Sequence, residues 1–290
     1  GEPGAGKTML ARALPSILPK LTLPEALEVT RIHSAAGLMF PGESLIRHRP
    51  FRAPHSGVSV AGMIGGGSTF IRPGEVTLAH RGTLFLDEFA EFPRSALEAL
   101  RQPIEDGTIT ITRASQTVTY PARFMLVAAM NPCPCGHLGT ERPCSCTPRV
   151  LDIYRQKLSG PLLDRIDMHI PVGRVDTSEL LRVDDEAESD RARTRVEAAR
   201  AFAGDRFAKL GASCNADIVG RKLMKSVRLD EGAGAVLMRA AEAYRFSGRS
   251  VHRLVRVART IADLARHDCI GKDDVLEALT YRITEREEPM

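Results

Sequence analysis

Gly1-Glu2-Pro3-Gly4-Ala5-Gly6-Lys7-Thr8 decides how the rest of the chain is read. It completes the pattern G-x-x-x-x-G-K-[ST]. Gly1, Gly4 and Gly6, with Ala5 between them, let backbone N–H groups turn toward the phosphates of a nucleotide. Lys7 adds a point charge, and Thr8 offers its hydroxyl to Mg2+. The run from Met9 to Leu14 reads as a helix whose positive dipole end faces the same anion. The cofactors this asks for are ATP and Mg2+. Such a loop normally follows a buried strand, and in this sequence no residue stands before Gly1.

The bulk of the chain sets wide bounds. At 290 residues it can bury a large core and hold about two domains. Its 43% hydrophobic and 26% charged residues are ordinary for a soluble globular protein. No apolar run reaches the ~18 residues needed to span a bilayer, so no membrane partner is expected. With no initiator Met and no leader-like segment, the expectation is a cytoplasmic protein cut from a longer chain. A net charge of +4 permits nucleic acid as a partner without arguing for it.

Support for the loop lies downstream. Gly82-Thr83-Leu84-Phe85-Leu86-Asp87-Glu88 is an apolar strand ending in two acids. A buried parallel strand delivers carboxylates to the sheet edge in this way. Asp87 would hold Mg2+, and Glu88 would polarise an attacking water. A second apolar run, Phe124 to Met130, ends at Asn131-Pro132. Asn131 can bond a γ-phosphate or the water; its plainer reading is a strand terminator. Asp167 to Val172 reads as a third strand, after Leu162-Leu163-Asp164-Arg165. Arg165 reads either as a charge donated to a neighbouring subunit's nucleotide or as one half of a surface ion pair.

The order of these parts resembles the AAA+ family of ring-forming ATPases. The resemblance implies an α/β fold, with a five-stranded parallel sheet followed by a small helical lid. It also implies hydrolysis at subunit interfaces, in homo-oligomers that are usually hexamers.

The segment His48 to His80 is too rich in glycine and proline for one long helix and reads as a loop-bearing insertion. Gly65–Gly67 reads as its flexible tip. Thr108-Ile109-Thr110-Ile111-Thr112 and Thr117-Val118-Thr119-Tyr120 alternate with period two and predict a β-hairpin with Arg113 near its tip. Arg113 could grip a phosphate backbone, or the hairpin could simply be solvated. Cys133, Cys135, Cys144 and Cys146 then cluster as C-x-C-x8-C-x-C. Four thiolates can hold Zn2+ tetrahedrally, but C-x-C is tighter than the usual C-x2–4-C. Structural zinc and free thiols both stay open, with His137 as a substitute ligand.

A narrower resemblance rests on further segments. Glu28 to Gly37, Phe51-Arg52-Ala53-Pro54-His55, Gly65-Gly66-Gly67-Ser68, Asn131 to Gly136 and Ser159 to Asp167 look like the ComM/YifB family, described as magnesium chelatase-like. The similarity covers nearly all of residues 1–285. Ser56 departs from it, since a second histidine is usual there. The resemblance implies an AAA+ core over 1–175 with its first strand missing, carrying the hairpin and the Cys-rich insertion. An acidic linker over 176–189 and a helical lid over 190–290 follow. It further implies an absent N-terminal domain like part of the Lon protease. Without the upstream strand, this piece is expected to bind nucleotide poorly.

Helical patterns follow over roughly 190–204, 230–246, 250–267 and 272–284. In the third, Val251, Leu254, Val255, Ala258, Ile261, Ala262 and Ala265 make one apolar stripe. Arg249, Arg253 and Arg256 share another face. By resemblance Arg249 reads the γ-phosphate, with Arg256 the second choice; all three could instead face solvent or DNA. The ComM/YifB resemblance implies a hexameric DNA motor, a helicase or translocase that promotes branch migration in natural transformation or recombination. Two alternatives stand. One is the magnesium chelatase ATPase subunit that drives metal insertion into a porphyrin, disfavoured by the long path from Asn131 to Arg165. The other is a protein-remodelling AAA+ chaperone, disfavoured by a hairpin tip without aromatic residues.

Overall fold

The computed structural model describes residues 1–42, 44–67, 70–113, 116–158, 162–174 and 186–283. The chain divides into two compact units. Gly1–Arg165 and Val172–Asp184 form the first, and Ile166–Pro171 and Asp185–Met290 form the second. Most of the acidic stretch, residues 175–185, lies outside the described residues, as do Ser68, Ser159 and Gly160.

The first unit is a mixed α/β layer structure. Its parallel sheet has the order β1 (Phe51–Arg52), β4 (Thr83–Leu86), β7 (Met125–Ala128) among the described residues. All four residues of β4 are buried, as a central parallel strand covered on both faces requires. Alternation along β4 sends its side chains to two different cores. Phe85 packs with Ala11 of helix α1 (Lys7–Ile17) and with Ala129. Leu84 and Leu86 join Met63, Val76, Phe89, Leu100, Ile109 and Ile111 on the opposite face. Gly82 opens β4 because nothing larger fits: an added Cβ would stand 2.0 Å from the Pro50 carbonyl oxygen.

The region read as a loop-bearing insertion holds β1, the short helices α3 (Val60–Ile64) and α4 (Glu75–Leu78), and a two-stranded ribbon. Gly65 and Gly66 are not a free tip. They form β2 (Gly65–Gly66), antiparallel to β3 (Arg72–Pro73). An added Cβ on Gly65 would lie 2.6 Å from the Arg72 carbonyl oxygen, so close backbone approach explains that glycine. The hairpin forms as the alternation predicts. Strand β5 (Thr108–Arg113) pairs with β6 (Gln116–Pro121), with Arg113 opposite Gln116. Ala114 and Ser115 lie outside the described residues, so the tip itself is not described. Helices α5 (Arg94–Ala99) and α6 (Arg101–Asp106) lead into the hairpin, and α7 (Pro148–Leu158) follows β7.

The start of β4 is fixed by a polar cluster. Helix α2 (Leu23–Ala35) opens on a reciprocal cap between Thr22 and Glu25. Its Glu28 carboxylate accepts from His80 Nε2 at 3.1 Å and Arg81 Nε at 2.9 Å. His80, 2% exposed, accepts the Arg123 backbone N–H on Nδ1, so the neutral ring carries its proton on Nε2. Burial holds its pKa below the ordinary histidine value, against the opposing pull of Glu28.

The expected third strand is not there. Residues 166–174 carry no strand, and Asp167 to Val172 adds nothing to the sheet. The second unit's own last helix bonds this stretch and the residue before it: His169 N–H donates to the Tyr281 carbonyl at 2.8 Å, and Arg282 donates to the Ile166 carbonyl at 2.9 Å. The five parallel strands implied by resemblance are therefore three among the described residues.

The second unit is all helical, with α8 (Glu186–Phe202), α9 (Gly204–Leu210), α10 (Gly220–Ser226), α11 (Glu231–Ala243), α12 (Gly248–Leu264) and α13 (Lys272–Ile283). Leu254, Val255, Ala258 and Ala262 of the anticipated stripe are buried with Ile270, Val275 and Ala278. Ala265 is exposed because the helix stops at Leu264 and Ala265 caps it.

Candidate nucleotide-binding site

Gly4 and Gly6 hold φ values of 78° and 79°, left-handed conformations that glycine adopts without strain. Beyond the flanking residues, no atom lies within 4 Å of where a Cβ would stand at either position, so the loop borders open space. Ala5 between them is buried and anchors the loop. Helix α1 starts directly at Lys7, so its unpaired N–H groups face the same space.

Lys7 Nζ is drawn back into the loop. It donates to the Gly1 carbonyl at 2.8 Å, the Glu2 carbonyl at 2.6 Å and Asn131 Oδ1 at 3.0 Å. Partial burial lowers its pKa, and the Asp87 and Glu2 carboxylates oppose that. Thr8 Oγ1 donates to Asp87 Oδ2 at 2.7 Å. A hydroxyl and a carboxylate in contact are the hard oxygen pair that suits Mg2+, and the glycine N–H groups with Lys7 suit phosphate oxygens. The residues present therefore fit Mg2+ and a nucleotide.

The sheet brings these parts together. Asp87 follows the last residue of β4, and Asn131 lies three residues beyond β7, its parallel neighbour. Hydrogen bonds from Ala129 N–H to the Leu86 carbonyl and from Phe89 N–H to the Ala129 carbonyl, both 2.9 Å, lock the two strand ends. Glu88 sits exposed between them with φ 52°, an unusual value for a residue that carries a Cβ. Its N–H donates to Asp87 Oδ1 at 3.0 Å.

The two anticipated arginines lie one in each unit. Arg165 ends a short turn, Leu163–Arg165, where its largely buried side chain forms an ion pair with Glu105 at 2.5 Å. Arg249 belongs to the second unit, exposed in the first turn of α12 behind the Ser247 cap. Arg256 and Arg253 of the same face close on Asp167, at 3.2 and 3.7 Å. The backbone of Arg113 ends β5.

The four anticipated cysteines converge. Their Sγ atoms all lie within 4.8 Å of one another. Backbone donors from His137 and Ser145 pull the Cys135 thiol pKa down to about 5. That of Cys146 goes up to about 12: contact with the Cys135 backbone favours its thiolate, but desolvation and the neighbouring sulfurs outweigh that.

Tyr154 is a site residue that the sequence did not reveal. It lies on α7, and its hydroxyl donates to the Asn131 carbonyl at 2.8 Å. Desolvation carries its pKa to about 12. The one signal available was a single aromatic in a helix of otherwise polar and aliphatic residues.

The family described as "Magnesium chelatase, subunit ChlI" matches residues 1–180, and the C-terminal part of the same subunit matches residues 186–282. The chain belongs to this magnesium chelatase ChlI family. An uncharacterized protein of Mycobacterium tuberculosis is 46% identical over 98% of this chain and 56% of its own length. The competence protein ComM of Haemophilus influenzae is 40% identical over 97% of this chain and 54% of its own length. YifB of Escherichia coli, also uncharacterized, is 40% identical over 99% of this chain and 55% of its own. The chain thus spans about half the length of the curated relatives it matches. Both ChlI-family halves coincide with the α/β and helical units, giving an AAA+-type core followed by a helical domain. None of the helices among the described residues is long and apolar enough to cross a membrane.

Proposed function

We propose that the protein hydrolyses ATP with Mg2+ and uses the energy to move DNA strands, as a homo-oligomeric, hexameric ring working in the cytoplasm. The observation that carries the ATPase reading is the contact of Lys7, Thr8, Asp87 and Asn131 at one sheet edge. Mg2+ on Thr8 and Asp87 would supply charge neutralisation at the β- and γ-phosphates. Lys7 would leave the Gly1 and Glu2 carbonyls for the phosphate oxygens. Glu88, exposed beside Asp87, would accept the proton of the attacking water, and Asn131 would orient that water. Arg165 would leave Glu105 to reach a neighbouring subunit's nucleotide, and Arg249 would sense the γ-phosphate. Four cysteine thiolates would hold one structural Zn2+.

DNA as the partner rests on two supports. One is the β5–β6 hairpin, which places Arg113 at the end of a strand. The other is likeness to a relative whose name is competence protein. The test is displacement of a labelled strand from a forked duplex by the full-length protein with ATP. Displacement that stops in the Glu88→Gln variant supports the reading. No displacement, from single-stranded, forked or branched substrates alike, refutes it.

A further inference from the structure

Cys133, Cys135, Cys144 and Cys146 lie on the segment that leaves Asn131, and that segment lies on the phosphate loop. The sulfur separations are 3.4 Å for Cys133–Cys135, 3.5 Å for Cys135–Cys144 and 3.7 Å for Cys133–Cys144. Four thiolates about 2.3 Å from a tetrahedral Zn2+ stand about 3.8 Å from each other, so the cluster is already close to that size. Cys133 is fully buried, and the Leu138 N–H donates to its sulfur at 3.3 Å.

Between the two sulfur pairs the loop touches the nucleotide site itself. Gly136 holds φ 83°, and a Cβ there would stand 2.3 Å from Cγ of Pro3 and 2.6 Å from its Cδ. Pro3 belongs to the phosphate loop. On the other side of the cluster, Asn131 accepts from Lys7 and has its carbonyl held by Tyr154. The cysteine loop therefore touches the phosphate loop at Pro3 and continues directly into the residue that holds Lys7. A short loop of this kind has little apolar burial of its own, and a bound metal would supply the energy that orders it.

We propose that Zn2+ bound by the four cysteines clamps residues 131–146 against Pro3, and that metal occupancy thereby sets the affinity of the phosphate loop for nucleotide. This rests on the zinc and nucleotide readings above. Binding takes all four sulfurs as thiolates and releases to solvent the protons that the cysteines still carry, with no redox change.

The test uses the full-length protein and a fluorescent ATP analogue. Metal analysis of the purified protein should give about one zinc per chain; a ratio near zero overturns the zinc reading. The zinc-loaded protein should bind the analogue, and failure to do so counts against the nucleotide reading. After chelation, removal of the chelator and return of Mg2+, affinity should fall about tenfold or more and recover when Zn2+ is added back. Circular dichroism should show helix content unchanged. Zinc-free protein that keeps its helices and binds the analogue as tightly as before overturns the clamp while leaving the zinc site standing. Gly136→Ala keeps every sulfur and drives a methyl into Pro3. It should retain zinc and lose about tenfold in affinity. Unchanged affinity in that variant contradicts the Gly136–Pro3 coupling.

Discussion

Glu88 occupies a left-handed backbone position, φ 52°, immediately after the carboxylate that touches Thr8. Holding a non-glycine residue there costs of the order of 1–3 kcal/mol, which persists only where the surroundings over-determine it. The Phe89 N–H bond to the Ala129 carbonyl holds the backbone just after it, and the Glu88 side chain is exposed. Glu88→Gln should therefore keep nucleotide affinity while losing about 10²–10⁴-fold in hydrolysis rate, measured by steady-state phosphate release. His80 gives a second expectation at this scale. Its folded pKa lies below the unfolded value near 6.5, so the neutral ring contributes stability that is complete above that value. As pH falls below 6.5 the unfolded chain takes up a proton that the fold refuses, and stability drops until the folded pKa is passed. Denaturant titrations between about pH 7.5 and pH 5 should show this slope. His80→Asn, whose amide oxygen can still accept from Arg123 N–H, should show a shallower one.

At the scale of the element, α12 carries the clearest test. Arg259, only 1% exposed, pairs with Asp263 at 3.1 Å and also donates to the Asp268 and His267 carbonyls. Asp263 also takes Arg206 and Asn215. Removing Asp263 strips two partly or wholly buried cations of the carboxylate that both bond. Asp263→Ala should cost about 3–5 kcal/mol, read from urea unfolding of the helical unit. This cluster was not legible in the sequence. An arginine on a helix reads as solvated, and only tertiary packing brings Asn215 and the turn after Leu264 around it. The apolar stripe of α12 was legible because its period is local, and β4 was legible because its short apolar run ends in two acids. Phe51–Arg52 is too short for any period to register, and Asp167 to Val172 has strand-like composition but gives its His169 N–H and Asp167 carbonyl to α13. Of the site, Lys7, Thr8, Asp87 and Asn131 were legible as motifs. The Tyr154 support and the Gly136–Pro3 contact depend on loop paths that no spacing encodes.

At the scale of the whole molecule, an AAA+-type core and a helical domain belong to one family pattern, and the DNA reading adds a partner to it. If the β5–β6 hairpin follows a DNA backbone, Arg113→Ala should weaken binding to all sequences alike. It should also reduce the slope of log affinity against log salt by about one per chain engaged. A DNA-driven ATPase is tested most directly by one measurement: the ATPase rate of the full-length protein with and without single-stranded and forked DNA. Mg2+-dependent hydrolysis should rise when DNA is added and be lost in Glu88→Gln. A rate that DNA leaves unchanged would contradict the DNA-motor function.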